Sequence, residues 1–402
     1  MFTESNISIY KKRIISISLL GSILSLALTS LRLNDNVGVG ELIIVLSFFY
    51  YMLHIKKINR SGEFSNPNKF IFSFFVLLLC GFIYTSFFIK ELHTDEYFTN
   101  AIRTFIAYLF SIANAFLLCQ IINSERDFLY LIKSIILYFN LVIGVSFLLL
   151  FPQFIESIFS PIRFYGFSKN PNQLASLGIV VPFLIFYLRQ NKDISFYYTL
   201  FSIIIVILLA VVVKSDALFY ALIFSGCAYT LLNFKNLKFE KKVFFFFIII
   251  YIFFNYIYEA LFSYVLKTNT EGDQSDVRYL LWNNALEGLM HSPILGFGPG
   301  SFSGLTGPFE GAESHNTFID LFTNVGLIGL LLFLFFLYRI FFKLYILNEN
   351  FLLLTLLSIT IFSVFHNILR HPLYWIVVFS LYTFSHRNKN KTNVGINYNS
   401  SL

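Results

Sequence analysis

The chain predicts an all-α polytopic membrane protein of about twelve transmembrane helices with one large extracytoplasmic loop, and three observations carry that expectation. Apolar residues make up 57% of the 402 and charged residues only 13%, and mean hydropathy is +0.71. A soluble domain carries about 25% charged residues, and a helix needs roughly 20 apolar residues in a row to cross a bilayer. The apolar runs recur along the chain and are too long and continuous for barrel strands, so helices are left to satisfy the backbone in lipid.

Taken in order, the runs predict spans at about 14–31, 39–55, 70–89, 101–122, 128–151, 174–188, 196–213, 217–232, 243–258, 317–338, 351–369 and 372–385. The first has no small-residue cleavage site behind it and reads as a span, not a signal peptide. The sixth, eighth, ninth and twelfth are short, so these helices are expected to extend into flanking polar sequence. The organisation that follows is helices one to nine over 1–258, a large loop over 259–316, helices ten to twelve over 317–386 and a tail over 387–402.

Charge orients the bundle. With the N-terminus inside, alternate loops divide Lys and Arg 19 to 8, the outer set being Arg32, Lys90, Arg163, Lys169, Lys214, Lys267, Arg278 and Arg370. That bias predicts a multi-pass membrane protein with both termini cytoplasmic and the 259–316 loop outside. The same topology accounts for the net charge of +7 without nucleic acid. The outer loop itself is acidic, with Lys267 and Arg278 set against seven carboxylates, so any anion site in it must be local. Arg103 and Lys133 fall inside predicted spans, where a buried charge must pair or snorkel, which makes Arg103 a candidate substrate-binding residue. Cys80, Cys119 and Cys227 lie in apolar runs without metal spacing, and neither a metal site nor a cofactor is expected.

Three outward places carry specific polar groups. In the first, Arg163 precedes Gly166 and Asn170-Pro171-Asn172, a turn or cap that would open a helix. A helix N-terminus can hold phosphate; an ordinary cap is the alternative. In the second, Arg278 and Trp282 stand four apart and share a helix face, ahead of Gly296, Gly298 and Gly300. Arginine beside indole suits a phosphate and a sugar, although Asp276 or Glu287 can simply neutralise the arginine. The glycine run lacks the Lys-Ser/Thr of a nucleotide loop. In the third, Glu313-Ser314-His315-Asn316 precedes the tenth span. A histidine there can act as a general base, or cap the helix. Gly326 and Gly329 in that span are expected to allow close helix packing.

These motifs resemble the O-antigen ligase/O-antigen polymerase superfamily of bacterial membrane glycosyltransferases. The resemblance rests on Arg163, Gly166, Asn170-Pro171-Asn172 and Ala175, then Arg278, Trp282, Ala285, Pro293, Gly296, Gly298, Gly300 and Phe302, then His315-Asn316, Phe318, Gly326 and Gly329. It implies a glycan donor linked to undecaprenyl diphosphate, arginines at Arg163 and Arg278 that bind the diphosphate, and His315 as activator of the acceptor hydroxyl. Asn172, Trp282, Gly298 and Asn316 fall in the same motifs and are expected to bind substrate. Relatives often carry Ser-Arg where this chain has Ser215-Asp216, so Lys214 is the expected substitute charge, without the bidentate fork of arginine.

The expected reaction is inverting transfer that polymerises lipid-linked repeat units into O-antigen or a related surface polysaccharide. Transfer of the finished glycan to lipid A-core, as a ligase, is the alternative. The expected partners are the undecaprenyl-diphosphate-linked donor, a glycan or lipid A-core acceptor, membrane lipid and a chain-length regulator. The rival of another class is a transporter or lipid-glycan flippase; its mid-membrane ionisable groups and repeated halves are not evident here.

Overall fold

A computed structural model describes residues 9–32, 37–57, 67–88, 95–160, 162–232, 274–304 and 311–386. Thirteen α-helices follow one another there: α1 Ile9–Ala27, α2 Val39–His54, α3 Asn68–Phe88, α4 Asp95–Ile121, α5 Glu125–Leu149, α6 Phe151–Phe159, α7 Pro171–Gln190, α8 Phe196–Val213, α9 Asp216–Leu232, α10 Gln274–Leu289, α11 Thr317–Ile346, α12 Asn350–Ser363 and α13 Pro372–Ser385. Among the described residues, the only strand-like pairing is an isolated antiparallel bridge between Arg32 and Gly38. Six helices are long and apolar enough to cross a membrane, and α2, α9, α12 and α13 are shorter apolar helices. The protein is an all-helical, multi-pass membrane protein. The expected ninth span at 243–258, the tail over 387–402 and much of the 259–316 loop lie outside the described residues.

Local chemistry sets the helix starts. Asn170 caps α7 by accepting from the Asn172 amide at 2.9 Å, and Pro171 at the first helical position loses no bond by lacking an N–H. Ser124 caps α5 and Ser195 caps α8 in the same way. The main core cluster is built from α1, α3, α4, α5, α7, α8, α9 and α11 to α13, with Trp375, Phe74, Phe128 and Phe333 fully buried in it, and a small second cluster joins Tyr97, Ala101 and Phe297. At one end, Lys11 of α1 meets Asp127 of α5 at 2.9 Å, and Lys133 of α5 meets Asp193 at 3.0 Å. The first pair joins groups the sequence assigns to the same side of the membrane.

Four expectations change. The eleventh span is not helical to 369: α12 ends at Ser363, and residues 364–371 form an irregular, largely buried connection to α13. A further short helix, α6, occupies sequence read as loop; Pro152 at its start permits the bend away from α5. Arg103 is exposed on α4, and Lys133 is half-exposed and paired with Asp193, so neither is a buried charge.

The fourth concerns Gly326, which does not serve helix packing but breaks α11. Its φ of 64° and ψ of −170° lie outside helical space, in a region open to glycine and little else. A break in lipid leaves carbonyls and amides without partners, which costs several kcal/mol for each unless protein supplies them. The chain after α10 supplies them. The Phe297 amide donates to Thr323 O at 2.7 Å and the Gly298 amide to Asn324 O at 3.0 Å, while Pro293 O accepts from the Leu327 amide at 2.9 Å. Asn324 also accepts from the Ser301 hydroxyl at 3.0 Å and donates to Tyr108 at 3.1 Å. The loop after α10 is therefore threaded into the opened helix and fixed to α3 and α4, where Thr85 and Tyr97 both donate to Phe297 O.

Candidate functional site

One end of the bundle gathers residues from four stretches: 163–173, the α8–α9 corner, α10 with the loop to α11, and the 364–371 connection. Arg163 leaves α6 and folds back on α8. Its Nε donates to Val213 O at 2.8 Å and its Nη2 to Asn172 Oδ1 at 2.7 Å. A guanidinium has five N–H donors, so three are left to point elsewhere. The same Asn172 oxygen accepts from the Ser215 hydroxyl at 3.2 Å, which ties the α8–α9 corner to the start of α7. Burial draws the Arg163 pKa down, Asp216 opposes this, and the charge of Arg278 adds to it. Arg278 thus lies close enough to Arg163 for repulsion. Among the described residues its guanidinium makes no hydrogen bond or ion pair. Two cations held near one another form a natural anion site where no carboxylate bridges them, and among the described residues none does.

The histidine stands on a braced stretch. His315 has φ 55°, the left-handed region that a non-glycine residue enters at a cost. Its neighbours hold it there. The Ser314 amide donates to Asp320 Oδ1 at 3.0 Å, and Ser314 O accepts from Trp282 Nε1 at 2.8 Å. Asn316 caps α11, its Oδ1 accepting from the Phe318 amide at 2.9 Å and the Ile319 amide at 3.2 Å. Trp282 and Asn316 therefore position the His315 backbone. Burial lowers the His315 pKa, and Arg278 lowers it further. Both causes favour the neutral imidazole, the form in which a ring nitrogen can take a proton.

Other candidates sit differently. Lys214 caps α8 in the left-handed conformation and directs its ammonium to the Ser160 carbonyl and, at 3.4 Å, to Ile162 O. It braces the end of α6. Gly298 is buried against α3, where a Cβ would lie 2.7 Å from the Phe82 backbone, so its role in the fold is close packing. Arg103 lies on the Arg370 side, where its charge lowers the Arg370 pKa after burial, the larger cause. Glu313, a possible base on sequence grounds, is ion-paired with Arg370, whose guanidinium also lies 5.3 Å from the centre of the Phe302 ring. The Asp276 side chain lies outside what the structure describes.

The sequence reading missed His366. It lies in the 364–371 connection, 8% exposed, with its ring 6.3 Å from that of His315. Burial, and then the charges of Arg278, His315, Arg163 and His371, bring its pKa down to about 3. It stands among the candidate residues from the other three stretches. A signal existed: His366-Asn367 and Arg370-His371 are polar pairs at the end of an apolar run, where spanning helices seldom carry them. Among the described residues, no group of three or more His, Cys, Asp or Glu is arranged to hold a metal ion.

Fold and site define a multi-pass membrane protein with Arg163, Arg278, His315 and His366 gathered at one end of the bundle. Residues 214–334 match the family described as O-Antigen ligase. The chain is also 26% identical over 322 residues to the ComP-specific O-oligosaccharyltransferase of Acinetobacter baylyi (strain ATCC 33305 / BD413 / ADP1), a match over 73% of this chain. It spans 56% of that relative's length. The resemblance to the O-antigen ligase superfamily is borne out.

Proposed function

We propose that the protein is a membrane glycosyltransferase that moves a glycan from a polyprenyl diphosphate, undecaprenyl diphosphate in bacteria, to an acceptor hydroxyl at the outer face of the cytoplasmic membrane. The observation that carries this reading is the neutral His315 held beside Arg278, with Arg163 close by. Breaking the anomeric C–O bond leaves new negative charge on the departing diphosphate. Arginines placed there stabilise the transition state more than the ground state. His315 takes the proton from the attacking hydroxyl, and backside attack inverts the anomeric centre. The lipid tail lies among the apolar helices, and the charge bias of the loops supports cytoplasmic termini.

Two acceptors fit this chemistry. A second lipid-linked glycan makes the protein a polymerase. Transfer of the glycan as a block to another acceptor, such as lipid A-core, makes it a ligase, and the matched family and the relative support glycosyl transfer of either kind. The test is the purified protein with a synthetic polyprenyl-diphosphate-linked oligosaccharide. A ladder of lengths on the lipid marks a polymerase, and single transfer to an added acceptor marks a ligase. No glycan product with either acceptor, from a folded preparation, rejects the reading.

A further inference from the structure

Among the described residues, no carboxylate is paired with the His315 ring, the partner that a base histidine commonly has. A carboxylate usually fixes the ring and faces the charge it gains. Here Glu313 is committed to Arg370, and Asp320 holds the Ser314 amide. What faces the His315 ring is the second imidazole, edge to face, with planes at 81°.

That second ring is itself held. Phe362 lies against it with ring centres 4.8 Å apart, and the His366 amide donates to Phe362 O at 3.1 Å. Thr317 donates its hydroxyl to His366 O at 2.7 Å and accepts from the Ile368 amide at 3.2 Å. Thr317 is the first residue of α11, directly after the cap that follows His315. One hydroxyl thus clamps the 364–371 connection to the helix start that carries the base. Among the described residues, nothing hydrogen-bonds the His366 ring, so its nitrogens are uncommitted.

We propose that His366 is the positioning residue for His315, a neutral imidazole that holds the base's ring in place and faces the positive charge it acquires. The proposal rests on the reading of His315 as the base. In the step concerned, the acceptor O–H bond breaks and its proton goes to a ring nitrogen of His315. The freed oxygen pair forms the new bond to the anomeric carbon as the old C–O bond breaks, its electrons leaving with the diphosphate. A second cation at His366 would be repelled by Arg278 and Arg163, so the ring stays neutral throughout. Its polar edge and electron-rich face are then available to the imidazolium.

A double-mutant cycle tests this, using single-turnover transfer from a synthetic polyprenyl-diphosphate-linked oligosaccharide. His366→Leu should lower the rate at least tenfold with donor KM within twofold of wild type, and His366→Asn should recover part of the loss. In a His315→Ala background, His366→Leu should change the residual rate by less than twofold, because the residue it serves is gone. Equal loss in both backgrounds, or a wild-type rate in His366→Leu, overturns the proposal. If the leucine variant does not fold, the same cycle run with His366→Asn decides by the same criterion. A wild-type rate in His315→Ala overturns the base reading itself. An inactive His315→Ala with a fully active His366→Leu overturns this proposal alone.

Discussion

Asn172 fixes the direction of Arg163: its side-chain oxygen, 2.7 Å from Nη2, also accepts from Ser215, so one amide joins the first candidate arginine to the α8–α9 corner. Asn172→Ala removes that acceptor and lets the guanidinium swing. Loss of a hydrogen bond to a charged group costs about 1.5–3 kcal/mol, so donor KM should rise roughly 10- to 100-fold while the fold persists. Titrating the donor lipid checks it, and an unchanged KM would show that the orientation of Arg163 is unimportant.

Arg278 makes no described bond that holds the fold together. Arg278→Ala should therefore leave the thermal midpoint in detergent within a degree or two and lower transfer by about 100-fold or more, the scale of losing a donor to a developing anion. Arg278→Lys should restore only part, because an ammonium cannot grip phosphate with two parallel bonds. An alanine variant with full activity would remove Arg278 from the reaction.

Two glycines separate close packing from open space. A Cβ at Gly326 would lie 2.1 Å from Ile294 O, on backbone at φ 64°, whereas a Cβ at Gly144 in α5 meets nothing within 4 Å. Gly326→Ala should prevent accumulation of folded protein. Gly144→Ala should be neutral or stabilise by up to about 1 kcal/mol through helix propensity. Size-exclusion profiles and thermal midpoints of the pair compare them directly.

His366 also predicts a pH dependence of stability. Its pKa falls from an ordinary 6.5 to about 3, through burial first and then Arg278, His315, Arg163 and His371. Between those values the unfolded chain binds a proton that the folded chain does not, so stability is full above about pH 6.5 and declines as pH falls. The slope is on the order of 1.4 kcal/mol per pH unit. The thermal midpoint should drop between pH 6.5 and 5, and His366→Leu should flatten part of that drop. His371, His315 and His386, whose pKa values are also lowered, contribute to the remainder.

Much of the helical scaffold was legible because apolar runs report their own lengths. Asn170-Pro171-Asn172 likewise announced the start of α7. The site was legible in part. Arg163, Arg278 and His315 stand out as polar residues in outward loops, and the structure brings them to one end of the bundle. The pairing of each polar group was not legible. Lys214 looks like a phosphate ligand until its ammonium is seen on the carbonyls that end α6, and Glu313 looks like a base until Arg370 occupies it. Those partners are far apart in sequence, and single-chain patterns report neighbours along the chain. His366 was hidden because apolar residues on either side made 351–369 read as one span. Gly326 reads equally well as a packing or a breaking glycine, and only the loop that fills the break decides.

The opened helix has a consequence for biogenesis. The loop that supplies Phe297 and Gly298 leaves the ribosome before Thr323 and Asn324, and neither partner is complete alone. The segment around Phe297 is a borrowed part of a later helix, not a module that could be excised and studied by itself. Its assembly has to wait until the following segment has entered the membrane.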